Sequence, residues 1–127
     1  YILVDLPPST GDVALDIQKL IPSCKMLIVT TPHPSASHIA VKAGFAAEQL
    51  EHEILGIVEN MSFLSHKGEE LRIFGEGGGK IVADKLKTVV LSTIPIGQPK
   101  NSLSIFAASE EIGLDYIGLA NKLIKLY

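Results

Sequence analysis

The first residues of the chain combine an apolar run, two acidic residues and a turn. The segment reads ILVDLPPSTGD from Ile2 to Asp12, and Asp5 directly follows the apolar run. A carboxylate at the end of a buried strand can hold Mg²⁺, and the turn after it can surround a phosphate group with hydroxyls and backbone N–H groups. A structural interpretation is also open, in which Asp5 caps the proline turn and Asp12 caps a helix. The spacing alone does not decide between them.

Asn60 is a second residue whose type and position suit chemistry, because it follows closely on another apolar run. Its amide can both donate and accept hydrogen bonds, which suits recognition of the edge of a purine base. The competing interpretation is an ordinary turn residue at the end of a strand.

The glycine-rich segment Gly75 to Lys80 does not predict a phosphate-binding loop. The pattern G-x-x-x-x-G-K-[ST] would require a glycine at Phe74 and a hydroxyl residue at Ile81. The segment also follows a polar stretch instead of a strand. We therefore interpret it as a flexible turn that begins a helix, with Lys80 at the surface.

Histidine and cysteine give little support for a metal site. The single cysteine, Cys24, excludes an internal disulfide and any two-cysteine metal site within one chain, and we expect it to be a partly buried small residue. No pair of histidines has a recognised ligand spacing, and we expect surface or hydrogen-bonded roles for them, with two on a predicted helix (His38 and His52) and two outside it (His33 and His66).

Length and composition limit the class of protein. The 127 residues suffice for one domain, and an apolar share of 46% is ample for a core. The net charge of -3 comes without a basic run, so we expect neither a nucleic acid nor a membrane as partner. No signal peptide or membrane-spanning apolar run is evident, and a single cysteine suits the cytoplasm. Because the chain enters an apolar run directly after Tyr1, we expect it to be part of a longer protein.

Alternating strand and helix patterns predict the fold class. The predicted strands are Ile2–Val4, Met26–Thr30, Ile54–Val58 and Val89–Ile94. The predicted helices follow Asp12, Ser35 and Gly79, and a last one carries Tyr116, Ala120, Leu123 and Ile124. Continuous apolar strands favour a parallel sheet that is covered on both faces. The sequence therefore predicts an α/β fold with a mostly parallel sheet and helices on both faces.

The residues after each predicted strand should meet at one edge of that sheet, where ligands bind in such folds. These segments are 5–12, 31–35, 59–62 and 95–99. The stretch from Ser62 to Gly79 is predicted to be a long irregular connection, which is typical of a functional or mobile loop.

Five short motifs carry a resemblance to a known family. They are DLPPSTGD (5–12), VTTP (29–32), GIVENMS (56–62), IFGEGGG (73–79) and IPI (94–96). In this order and spacing the chain resembles the C-terminal half of the Mrp/ApbC-type P-loop ATPases, the iron-sulfur cluster carriers related to MinD. The resemblance implies that residues 1–127 are the C-terminal portion of a single P-loop ATPase domain that binds ATP and Mg²⁺. It also implies a homodimer, a missing N-terminal half with the Walker A loop, and apo iron-sulfur proteins as partners.

The resemblance also implies a role for each matching residue. Asp5 is similar to the Walker B acid that positions Mg²⁺, and Asn60 is similar to the amide that reads adenine. Pro95 and Ile96 would supply the other edge of the base pocket. The switch II loop near the γ-phosphate would consist of Ser9, Thr10, Gly11 and Asp12.

Two features of these residues depart from the family pattern. Ser9 stands where the family has a glycine after the two prolines, and a serine tolerates positive φ poorly. The family's Cys-x-x-Cys is missing, because Leu64 and Lys67 occupy its expected positions in a shortened stretch from Phe63 to Ile73. Those thiolates cannot bridge a cluster across a dimer, so the resemblance supports ATP binding more strongly than cluster carriage.

Two other functions stay open. A MinD/ParA-like positioning ATPase would favour a basic amphipathic C-terminal helix, whereas this tail has only Lys122 and Lys125. A regulator that kept the fold without catalysis would lack ATP turnover.

Overall fold

The computed structural model describes residues 1–6, 16–17, 19–100 and 105–126. It contains four strands, β1 (Met26–Thr30), β2 (Ile54–His66), β3 (Glu69–Leu71) and β4 (Val90–Ile96). Its helices are α1 (Pro34–Gln49), α2 (Gly78–Lys85) and α3 (Glu111–Leu126). The backbone is also helical at the described residues between 16 and 20, where a helix after Asp12 was predicted, but Asp12 itself lies outside the described residues.

β2 is the centre of the sheet. It pairs in parallel with β1 on one side and with β4 on the other, so that Ile57 lies beside both Ile28 and Val90. β3 adds an antiparallel pair at the far end of β2. The three parallel strands confirm the strand predictions at 26–30, 54–58 and 89–94, and the mostly parallel α/β class is confirmed.

The core consists of two clusters, one on each face of the sheet. Ile57 and Val58 are consecutive residues of β2, and consecutive side chains of a strand point to opposite faces. Ile57 belongs to the cluster under α1 and α2, with Ile28, Ala40, Val41, Val82, Ala83 and Leu86. Val58 belongs to the cluster under α3, with Leu91, Ile94 and Leu119. Helices therefore cover both faces, as predicted.

The prediction of a strand at Ile2–Val4 is wrong. Residues 1–6 have no regular secondary structure, and Ile2 and Leu3 are each 91% exposed. A strand needs a neighbour to pair its backbone N–H and C=O groups. A cavity of about 1190 Å³ instead separates this segment from β1, and both line it.

The prediction of a long irregular connection at Ser62–Gly79 is also wrong in its first half. β2 continues to His66 and turns at Lys67 and Gly68, whose φ angles are 51° and 82°, into β3. Two consecutive residues with positive φ are typical of the tight turn of a β-hairpin. The hairpin replaces what the sequence indicated to be a loop.

The first long helix, α1, begins earlier than predicted. His33, not Ser35, is its N-cap, and the His33 Nδ1 atom accepts a hydrogen bond from the Ser35 N–H at 3.2 Å. Pro34 occupies the first turn, where its missing N–H costs nothing. Within the described residues, no helix is both long enough and apolar enough to cross a membrane.

Candidate functional site

The carboxyl ends of β1, β2 and β4 meet at one edge of the sheet because the three strands are parallel. At this edge Asn60, Pro95 and Ile96 line a cavity of about 180 Å³, which we call the rim pocket. The rest of its lining consists of Met61, Ile94, Gly97, Phe106 and Tyr116. The structure thus brings together the three residues predicted to contact a base.

A local irregularity of β2 aims the Asn60 side chain. The pairing between β2 and β4 shifts between Asn60 and Leu64, and Met61 has a φ of 56°. A positive φ is uncommon for a residue with a side chain, and a bulge of this kind redirects the neighbouring side chain. The hydroxyl of Ser62 donates to the Ile94 carbonyl at 3.0 Å and ties the irregular segment to β4. Nothing in the sequence signals this bulge.

The orientation of the Asn60 amide follows from its hydrogen bond to the backbone of the next residue. The Met61 N–H donates to Asn60 Oδ1 at 2.9 Å, and only the oxygen of an amide can accept. Within the described part of the chain, the second lone pair of Oδ1 and both Nδ2 hydrogens are left for a ligand. An asparagine amide presented in this way can pair with the N6 amino group and N7 of adenine.

Asn60 also lines the larger cavity, where Asp5 lies. This cavity continues past Thr30 and Thr31 at the end of β1. Asn60 therefore stands between a small pocket of the size of a base and a larger space that contains a carboxylate. The other predicted members of the phosphate side, Ser9, Thr10, Gly11 and Asp12, lie outside the described residues.

Mg²⁺ fits this carboxylate only as part of a shared site. The ion is commonly bound through one or two carboxylates, with water and substrate phosphates as further ligands. Asp5 is exposed at the cavity and could supply one such oxygen. Among the described residues, no three His, Cys, Asp or Glu side chains cluster closely enough to hold a metal ion.

Glu59 is a buried charged residue that sequence reasoning missed. It is 7% exposed, and its Oε2 atom accepts a hydrogen bond from the Gly79 N–H at 2.6 Å. A carboxylate is favourable at this position because the first N–H groups of a helix have no partner within it. Glu59 therefore anchors the start of α2 to the strand that carries Asn60.

The glycine-rich segment is a packing element. Gly77 caps α2 with a φ of 77°, and a Cβ at Gly78 would lie 2.6 Å from the carbonyl oxygens of Thr31 and Pro32. A Cβ at Gly79 would lie 2.9 Å from the Glu59 Cβ. The predicted turn that begins a helix is therefore observed, and Lys80 is exposed.

Two of the histidines and Cys24 can be placed in the fold. The prediction that His52 lies on a helix is wrong. His52 follows the end of α1 and is 5% exposed. Its Nδ1 atom lies 3.1 Å from the Cys24 carbonyl oxygen and 3.5 Å from Cys24 Sγ. His38 lies on α1 as predicted, and Cys24 is partly buried.

Phe106 and Tyr116 are two aromatic residues of the rim pocket that sequence reasoning did not select. Their ring centroids are 6.0 Å apart and the ring planes differ by 25°. They come from the segment before α3 and from α3 itself, so only the folded chain brings them to Asn60. No spacing rule would have found the pair.

Comparison with curated proteins gives close relatives. The iron-sulfur cluster carrier protein of Bacillus subtilis (strain 168) is 42% identical over 130 residues, which cover 97% of this chain and 37% of that protein. The iron-sulfur cluster carrier protein of Mycobacterium tuberculosis (strain ATCC 25618 / H37Rv) is 43% identical over 111 residues, covering 86% of this chain and 29% of that protein. The chain thus spans less than half the length of these relatives.

Solved structures agree with this relationship. A nucleotide-binding protein from Archaeoglobus fulgidus in complex with ADP is 31% identical, with a TM-score of 0.63 over 93% of this chain and 45% of that one. The cell division ATPase MinD from Pyrococcus furiosus is 18% identical, with a TM-score of 0.54 over 80% of this chain and 42% of that one, which shows the shared fold alone.

The sequence also matches the model of one protein family. The ParA family model of NUBPL iron-transfer P-loop NTPases matches residues 1–110. This match and the carrier relatives confirm the resemblance to Mrp/ApbC-type proteins. The chain belongs to the family of NUBPL-type iron-transfer P-loop NTPases.

Proposed function

We propose that residues 1–127 are the C-terminal portion of a single P-loop ATPase domain, and that the intact protein binds and hydrolyses ATP in support of iron-sulfur cluster assembly. The observation that carries the proposal is the place of Asn60, which lines both the rim pocket and the cavity that contains Asp5. A nucleotide with its base in the first would direct its phosphates toward the second. The ADP named for the Archaeoglobus fulgidus relative supports the same ligand class.

Asn60 reads the base in this proposal. Because Met61 N–H holds Oδ1, the amide cannot rotate to exchange its donor and acceptor without losing that bond. Oδ1 then accepts from the adenine amino group while Nδ2 donates to a ring nitrogen. Guanine has a carbonyl where adenine has its amino group, so the oxygen of Asn60 would face another acceptor. Pro95 and Ile96, which line the same pocket, would lie along the other edge of the base.

Asp5 would act near the phosphates of the nucleotide. Its carboxylate would hold Mg²⁺, which when bound neutralises charge that develops on the phosphates. Switch II, with Ser9, Thr10, Gly11 and Asp12, would contact the γ-phosphate and orient the attacking water. These residues would also couple hydrolysis to the conformation of a homodimer in the cytoplasm. The remaining phosphate contacts would come from a Walker A loop outside residues 1–127.

The link to iron-sulfur chemistry rests on the carrier relatives, whose names state that activity. The family pattern expects cysteines at Leu64, which lies on β2 and pairs with Leu71, and at Lys67, which lies in the hairpin turn; the chain has only Cys24. A single cysteine is too few thiolates for residues 1–127 to ligate an iron-sulfur cluster. We propose that any cluster is held by residues outside 1–127 and is passed to apo iron-sulfur proteins.

The positioning ATPase is a weaker candidate for a specific reason. Its membrane helix would need several basic side chains, whereas α3 carries only Lys122 and Lys125, and Lys122 donates to the Leu91 carbonyl at 2.5 Å. A regulator without catalysis is separated from both ATPases by measuring ATP turnover of the intact protein.

Nucleotide titration of the intact protein tests the proposal. ATP should bind in the presence of Mg²⁺, and Asn60→Ala should weaken ATP and narrow its preference over GTP by about tenfold or more, as expected when a site that hydrogen-bonds a ligand loses its partner. Ser65→Ala, an exposed change in the hairpin, is the matched control. Unchanged affinities for both nucleotides in Asn60→Ala would make Asn60 a turn residue.

A further inference from the structure

The rim pocket has an aromatic side, whose residues have no role in the base recognition proposed for Asn60, Pro95 and Ile96. Phe106 and Tyr116 both line it, and their offset pair, with centroids 6.0 Å apart, is within the usual range for aromatic contacts. Tyr116 is 44% exposed although it lies against other apolar residues. An aromatic ring that is left partly uncovered beside a polar amide is a typical environment for binding a flat heteroaromatic ligand.

The fold fixes this aromatic side before any ligand arrives. Directly after Phe106, the Ala107 N–H donates to Glu110 Oε1 at 3.1 Å. The same backbone lies so close to α3 that a Cβ at Gly113 would be 1.9 Å from the Ala107 carbonyl oxygen. The segment that carries Phe106 is thus held against the helix that carries Tyr116. Holding a binding surface in its bound arrangement lowers the entropy that binding must offset.

We propose that Phe106 and Tyr116 form a stacking wall for the base of the bound nucleotide, an inference that rests on the proposed function and names residues which determine affinity at that site. Pro95 and Ile96 lie on the same pocket, so the base contacts the rings on one side and this strand end on another. Stacking does not distinguish bases, since every base has a π-face. The wall therefore contributes affinity for any purine nucleotide, whereas Asn60 contributes the choice between them.

The test uses the intact protein and compares three ligands by calorimetry: ATP, GTP and inorganic tripolyphosphate. Phe106→Leu and Tyr116→Leu should each weaken ATP and GTP by about tenfold, the order expected for loss of one stacking contact. The ratio of the two affinities should stay as in the wild type, and tripolyphosphate binding should not change. Tyr116→Phe keeps the ring and should bind like the wild type. Leu114→Ala, an exposed change on the same helix outside the pocket, is the matched control.

The outcomes separate this inference from the function on which it rests. If the wild type binds ATP and Asn60→Ala changes the ATP to GTP ratio, but both leucine variants bind like the wild type, the stacking wall is wrong and the nucleotide site stands. Equal weakening of ATP and tripolyphosphate would mean that the rings act only through the fold, which also overturns the wall. Absence of ATP binding by the wild type overturns both.

A second pair of variants tests whether the wall must be held in place. Gly113→Ala would push the Ala107 carbonyl away from α3 and displace Phe106, and it should weaken ATP and GTP together without affecting tripolyphosphate. Gly118→Ala on the same helix adds the same methyl group where nothing lies within 4 Å of it. Identical nucleotide affinities in the two variants would contradict a wall positioned by Gly113.

Discussion

The surroundings of Asn60 and of Asp5 differ in what holds them. Asn60 lies on a strand with a neighbour on each side, and its amide is fixed by the Met61 N–H. Asp5 follows residues with no regular structure, of which Ile2 and Leu3 are 91% exposed. The surroundings of Asn60 are thus assembled from contacts within residues 1–127. Asp5 belongs to a segment that, in the described part of the chain, pairs with no strand.

The largest effect that this comparison predicts concerns residues 1–127 expressed alone. Among the described residues β1 pairs with a strand on one side only. This open edge and the exposed apolar residues Ile2 and Leu3 should cause aggregation or a strand-paired oligomer, and ATP binding should be poor without a phosphate-binding loop. Size-exclusion chromatography with light scattering measures this. A monodisperse monomer that unfolds cooperatively would contradict the edge argument.

Asp5→Asn in the intact protein should lower ATP turnover by on the order of 10²-fold or more, because a metal-held charge matters most in the transition state. Nucleotide affinity should change far less. Steady-state kinetics together with equilibrium binding separate the two quantities. Asp16→Asn, which alters an exposed acid paired with Lys19 at 4.0 Å, is the control. Equal turnover in Asp5→Asn would remove this residue from the mechanism.

Glu59→Ala should destabilise the fold by about 1–3 kcal/mol, since it leaves the buried Gly79 N–H without its acceptor. Chemical denaturation measures the change. Glu59→Gln keeps an acceptor oxygen and should recover most of the loss. If the alanine and glutamine variants are equally stable, the hydrogen bond between Glu59 and Gly79 does not stabilise the fold.

Lys122→Met should have the smallest effect, a loss of about 1–2 kcal/mol in the free energy of unfolding from the missing hydrogen bond to Leu91. Lys125→Met on the same helix lies at an exposed position and should be neutral. A neutral Lys122→Met would mean that α3 reaches its place on β4 through apolar contacts alone.

Sequence reasoning succeeded where a pattern is local. The apolar runs at 26–30, 54–58 and 89–94 are strands because each can be buried within this chain, and the helix starting near Gly79 follows from the glycines before it. It failed at Ile2–Val4 because the same pattern forms a strand only beside a partner. The family resemblance supplied Asn60, Pro95 and Ile96, and the structure brings these three to one pocket.

The rest depends on tertiary contacts that no short window contains. The hairpin from Leu64 to Leu71 has a polar turn, and its backbone pairing forms strands where the sequence pattern predicted a loop. Met61 takes a positive φ that its residue type does not favour. Phe106 and Tyr116 reach each other only because Gly113 lets the Ala107 backbone touch α3. Such close approaches are properties of two segments together.

The bulge at Met61 divides β2 into two mechanically different halves. Before it, the strand is paired with both β1 and β4; beyond it, among the described residues, it is held by the Ser62 hydroxyl and Leu64 at the end of β4 and by the three residues of β3. The part of β2 beyond Met61 therefore has fewer backbone pairs than the part before it. A small rotation of the backbone near Asn60 would become a larger displacement at Lys67, since the hairpin lies several residues further along the strand at about 3.3 Å each.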